Sequence, residues 1–241
     1  MKYLRQAFAL LTILPLGPTD APHPGDSGRA AIWFPLVGLI IGLLTAGGWW
    51  LLSRIFPPMA AAPLTLALWV ILTGGLHLDG LADCCDGLLG SASSMRRLEI
   101  MADSRLGSFA GVGLVLFILA KFAAILSHAP FLAPYIFILS AVISRWLVLL
   151  AGKQPLARPD GMAADFASGL TTRTILISAL LPLGLALLGG WRGMVAAGLS
   201  ILVALIIFRF ARSRIGGVTG DVFGLTIELT ELVVLLTYAA R

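Results

Sequence analysis

The chain has 241 residues, of which 59% are hydrophobic and 12% charged, with a mean hydropathy of +0.97. Soluble domains carry about 25% charged residues, so there is too little polar surface here for a water-soluble globule; a soluble enzyme, a disordered chain and a secreted disulfide scaffold are excluded. The net charge of +5 is then a matter of where Lys and Arg fall relative to membrane spans, and is not read as a sign of nucleic acid.

In chain order, Lys2 and Arg5 precede an apolar run over 7–16. No small-residue cleavage site follows, so a short surface or re-entrant helix is expected rather than a cleaved signal. Seven apolar stretches then read as membrane helices, roughly 30–52, 60–78, 107–127, 131–150, 174–190, 192–208 and 222–240. The expected fold is an all-α, polytopic membrane helical bundle, a single domain over 1–241 without internal repeats. With the N-terminus in the cytoplasm, twelve of the 17 basic residues fall in cytoplasmic segments, while Arg54, Arg192 and Arg241 fall opposite and Lys121 and Arg145 within spans. That asymmetry sets the orientation as N-in, C-out. Ten of the twelve acids, Asp20, Asp26, Asp160 and Asp165 among them, also lie in or beside cytoplasmic segments, which puts the chemistry on that surface.

The segment after the second span reads Gly74-Gly75-Leu76-His77-Leu78-Asp79-Gly80-Leu81-Ala82-Asp83-Cys84-Cys85-Asp86-Gly87. Asp79, Asp83 and Asp86 are spaced i, i+4, i+7 and share one helix face. Three carboxylates so close repel unless a cation sits among them, and all-oxygen ligation favours Mg²⁺ or Mn²⁺ over zinc. The competing reading is a solvated helix end, against which stands the packing expected of Leu76, Leu78, Leu81, Leu88 and Leu89. Cys84 and Cys85 are read as small apolar fillers. His77 is a candidate for proton transfer or for a structural bond to backbone.

Glu99 and Asp103 repeat the i, i+4 spacing, and Arg96, Arg97 and Arg105 are candidates to hold phosphates. Two acidic helices flanking a short turn suit a metal–phosphate site for phosphoryl transfer. Lys121, Arg145, Glu228 and Glu231 are costly in hydrocarbon and are expected to face the bundle interior, as buried ion pairs or as substrate contacts; Lys121 has the further option of snorkelling. The loop Gly216-Gly217-Val218-Thr219-Gly220-Asp221 exposes backbone at the membrane entrance and would suit a phosphate.

Together these segments resemble the cobalamin synthase (adenosylcobinamide-GDP ribazoletransferase) family. The matching residues are Ser27-Gly28-Arg29, 34–38, 74–87, 98–101, 103–107, Ala120-Lys121, Ser144-Arg145, Ala157-Arg158, 216–221, 227–229 and Glu231-Leu232, in the family's order over nearly the whole chain. Ala102 stands where a basic residue is usual, and Arg97 is outside the pattern. The resemblance implies attack by a hydroxyl of alpha-ribazole, or of its 5′-phosphate, on the cobinamide-bound phosphorus of adenosylcobinamide-GDP, with release of GMP and a requirement for Mg²⁺, in a bacterial inner membrane. It places metal on Asp79, Asp83, Asp86 and Asp103. Substrate contacts would be Arg29, Glu99, Arg105, Lys121, Arg145, Arg158, Thr219, Asp221, Glu228 and Glu231, and His77 or an aspartate such as Asp83 would take the proton. Homo-oligomerisation stays open. A CDP-alcohol phosphotransferase is the nearest rival, but Asp83 follows Ala82 where that motif has Arg. An ion-coupled transporter would place its acids at midplane in repeated halves.

Overall fold

A computed structural model describes residues 1–16, 23–128 and 131–240; Arg241, counted among the basic residues that set the orientation, and Asp20, counted among the cytoplasmic acids, lie outside the described residues. Among them the chain is helical, and its one β-type contact is an isolated bridge between Leu156 and Val218. The first helix, α1 (Lys2–Leu11), is amphipathic and packs through Ala7, Phe8 and Leu11, as expected of a surface helix. A short α2 (Asp26–Ala30) leads through a 3-10 turn into α3 (Phe34–Ile55), and the three pass together as one 30-residue candidate span.

Four more helices are long and apolar enough to cross a bilayer: α7 (Ser108–Leu126), α8 (Ala133–Ala151), α12 (Gly190–Ile215) and α13 (Gly220–Ala239). The other two expected spans each meet a sharp bend. The second was expected to run straight over 60–78; instead α4 (Pro58–Leu72) stops, Gly74 and Gly75 take φ of +63° and +70°, and α5 (Leu76–Leu89) leaves at 91°. Left-handed backbone at consecutive positions is accessible to glycine and costly for other residues. The fifth, expected over 174–190, corresponds to the stretch Thr172–Leu188, which comprises α10 (Thr172–Ser178) and α11 (Leu180–Leu188), and the preceding α9 (Met162–Gly169) meets it at 87°. The remaining helix is α6 (Ser94–Met101). The protein is a polytopic helical membrane bundle.

The α3–α8 pair is the most extensive contact in the bundle. Without a hydrophobic drive between helices in lipid, small residues that let backbones approach supply the packing. A Cβ on Gly42 would come 2.6 Å from the Ile138 Cα. Phe137 seals this core edge-on between Trp49 and Trp69, with ring centroids 6.1 and 5.8 Å away. The second close crossing, α5 on α13, builds the site. A Cβ on Gly80 would lie 2.9 Å from the Asp221 carbonyl oxygen, and one on Gly224 would lie 3.0 Å from that of His77.

Candidate active site

The α5–α13 crossing brings together acids 142 positions apart in sequence, Asp79 and Asp221. Both line a cavity of about 420 Å³, with His77, Arg158 and Thr219, and with apolar walls that include Phe34, Phe166 and Phe223. The loop before α13 is fixed by two backbone bonds, Ala157 N–H to the Val218 carbonyl at 3.0 Å and Val218 N–H to that of Pro155 at 2.8 Å. That zipper presents Arg158 beside Thr219. Thr219 caps α13 through the Val222 N–H, and its hydroxyl donates to Asp221 at 3.1 Å. Arg158 is anchored by donating to the Leu98 carbonyl, and its charge reaches Asp221.

Asp83, half-buried one turn beyond Asp79, has Asp221 as its strongest like-charged neighbour, then Asp79 and Asp86. The fields of Asp79, Asp86 and Asp221 thus overlap at Asp83, and that of Asp79 also reaches Asp221. Among the described residues no group of three His, Cys, Asp or Glu already converges on one point. Zinc and calcium cages need such convergence. Mg²⁺ keeps several waters and takes one or two carboxylates plus substrate phosphates, so the all-oxygen donor set here fits it.

The other two expected metal ligands are engaged elsewhere. Asp86 accepts the Gly107 and Ala110 N–H groups at 2.7 and 2.9 Å and so caps the start of α7. Asp103 is held by Arg105, 2.6 Å away, whose guanidinium keeps that carboxyl down at about 2. With Glu99, which pairs with Arg96 at 2.8 Å, these residues line a second, open cavity of about 440 Å³. The acid row of α5 therefore runs from one cavity to the other, about 10 Å along the helix. Arg97 corrects the phosphate reading outright: it is buried and donates to the carbonyls of Gly87, Leu88 and Ala92, closing the end of α5.

Five expected substrate contacts are also engaged elsewhere, four of them in the buried ion pairs that the sequence left open as the alternative. Lys121 is 2% exposed and does not snorkel; it bonds Glu228 at 2.7 Å and Glu231 at 2.5 Å. Arg145 pairs with Glu231, and the Lys121 ammonium also lies 4.7 Å from the centre of the Trp69 ring. The four charges compensate one another inside the bundle and do not line the cavity. Arg29 is exposed, pairs with Asp26 at 3.3 Å and stands outside both cavities. His77 is buried in the cavity wall, and its Nε2 has no hydrogen-bond partner among the described residues.

Two features went unread in the sequence. Asp160 lines the cavity, and Asp165 clasps α2 by accepting the Gly25 N–H at 2.6 Å and the Ser27 hydroxyl. Their chain position marked them only as cytoplasmic acids.

No solved structure matches the chain. Curated relatives named adenosylcobinamide-GDP ribazoletransferase match it almost end to end. The Pseudomonas paraeruginosa protein is 39% identical over 99% of this chain and 98% of its own. That of Desulfitobacterium hafniense is 37% identical over 98% and 96%, and that of Pseudomonas savastanoi pv. phaseolicola 40% over 97% of each. The family model for cobalamin-5-phosphate synthase matches residues 3–239, and the chain belongs to that family.

Proposed function

We propose that this membrane enzyme joins adenosylcobinamide-GDP to alpha-ribazole or its 5′-phosphate, giving adenosylcobalamin or its 5′-phosphate and GMP. The observation that carries the mechanism is the cavity at the α5–α13 crossing, where Asp79 and Asp221 face Arg158, Thr219 and His77. A ribose hydroxyl attacks the phosphorus bonded to cobinamide, the bond from that phosphorus to the bridging oxygen breaks, and GMP leaves. Arg158 and the Thr219 region bind the diphosphate. His77, whose Nε2 in the wall has no partner among the described residues, takes the hydroxyl proton. Asp79, Asp83 and Asp221 would hold Mg²⁺, which when bound neutralises the diphosphate charge. The apolar walls restrict water that would otherwise hydrolyse the activated ester.

A cavity of about 420 Å³ admits the diphosphate and its near neighbours, and the corrinoid stays outside on the rim. The charge asymmetry supports a site open to the cytoplasm in a bacterial inner membrane. The test is purified protein in lipid with adenosylcobinamide-GDP and alpha-ribazole, with and without Mg²⁺. GMP and cobalamin are expected in equal amounts and only with the metal. No GMP here, together with CMP release from a CDP-alcohol, would overturn the reading.

Gly80→Val checks the crossing. The added carbons meet the backbone of α13, so the helices are expected to part, lowering activity at least tenfold and stability by about 1–3 kcal/mol. Full activity in this variant would show that the crossing does not position the acids.

A further inference from the structure

The face of α5 opposite the acid row closes one wall of an apolar crevice of about 330 Å³ between α5, α7, α12 and α13. Leu88, Leu89, Phe117, Ile207, Leu225 and Leu229 line it, and Cys84 and Cys85 complete the α5 wall as apolar fillers. Two of its residues, Ile206 and Phe210, also border an open pocket formed by Arg209, Arg212 and Ser213. Arg209, Arg212 and Arg214 are exposed and make no ion pair among the described residues; Arg214 stacks on the Phe210 ring at 5.1 Å. These arginines end α12 just before the loop that leads to Asp221 at the start of α13, so they share the site's end of the bundle. Around the crevice, Val112, Leu116, Leu202 and Leu205 are all at least half exposed, as on a face turned to hydrocarbon.

We propose that this crevice holds an acyl chain of an anionic phospholipid whose phosphate rests on Arg209 and Arg212. An apolar slot continuous with lipid is filled by a chain rather than by water. Arg209 and Arg212, which make no ion pair among the described residues, line the pocket that shares Ile206 and Phe210 with the crevice and select a negative headgroup, because each basic residue near the surface favours anionic lipid by about fivefold. The bound chain packs against the back of the helix whose front carries Asp79 and Asp83, so the lipid braces the acid row.

The test uses the purified full chain with tail-labelled phosphatidylglycerol or phosphatidylcholine in phosphatidylcholine vesicles, reading the immobilised fraction by spin-label spectroscopy. Phosphatidylglycerol is expected to be held at least tenfold better. The triple change Arg209→Gln, Arg212→Gln, Arg214→Gln is expected to erase that preference, whereas Leu89→Trp, narrowing the slot, is expected to lower immobilisation of both lipids. Equal retention of the two lipids by the unaltered protein, or a preference that survives the triple change, would overturn the proposal. So would displacement of phosphatidylglycerol by millimolar inorganic phosphate, which would assign the arginines to a free anion.

Discussion

Asp83→Asn is expected to lower GMP release from adenosylcobinamide-GDP by about a thousandfold while the protein stays folded in lipid. Asparagine keeps the size of the side chain and removes its charge. The carboxylate makes no structural hydrogen bond among those of the described residues, unlike Asp86, and its strongest electrostatic neighbour is Asp221 in the cavity wall. In the proposed cation–diphosphate clamp, losing one charge costs several kcal/mol of transition-state stabilisation, hence the magnitude. Asp86→Asn should behave differently. One amide oxygen can still accept from the start of α7, so a modest loss of stability with most of the activity is expected. Steady-state GMP release by both variants separates the two roles, and a similar collapse in each would return Asp86 to the reacting site.

The second large effect is structural. Lys121→Met leaves Glu228 buried at 4% exposure without its cation, and Glu231 with Arg145 alone. Breaking a buried pair by removing one partner costs about 3–5 kcal/mol, because the remaining charge is uncompensated. The protein is expected to lose its folded fraction in lipid at temperatures where the parent survives. Adding Glu228→Leu removes the stranded charge and is expected to recover most of the stability, since replacing a whole buried pair by apolar groups is often neutral. Thermal unfolding of the single and double variants tests this. If Lys121→Met unfolds like the parent, the network does not hold the bundle together.

Hydropathy and residue spacing carried much of this account, and their limits are physical. Apolar stretches locate helices because the bilayer demands them, but composition says nothing of direction. The run over 60–78 therefore looks continuous although Gly74-Gly75 turns it through a right angle. The i, i+4, i+7 row of Asp79, Asp83 and Asp86 is a property of one helix and was visible. What each acid meets is not, because Asp86 finds the start of α7, Asp103 finds Arg105, and Asp221 arrives from another helix. The same holds for Lys121, whose glutamate partners lie more than a hundred positions away. Arg97, and Asp165 at Gly25, act as a cap and a clasp on backbone groups, and backbone leaves no mark in a sequence.

In the proposed mechanism Asp79, Asp83 and Asp221 would hold a divalent cation against the diphosphate. Mn²⁺, a hard cation with the same oxygen preference, makes that directly observable by electron paramagnetic resonance on purified protein in lipid discs with adenosylcobinamide-GDP. Bound Mn²⁺ is expected in the parent and in Asp86→Asn, and is expected to be lost in Asp83→Asn and Asp221→Asn. Undiminished binding in Asp83→Asn and Asp221→Asn would contradict the account and move the metal away from the α5–α13 crossing.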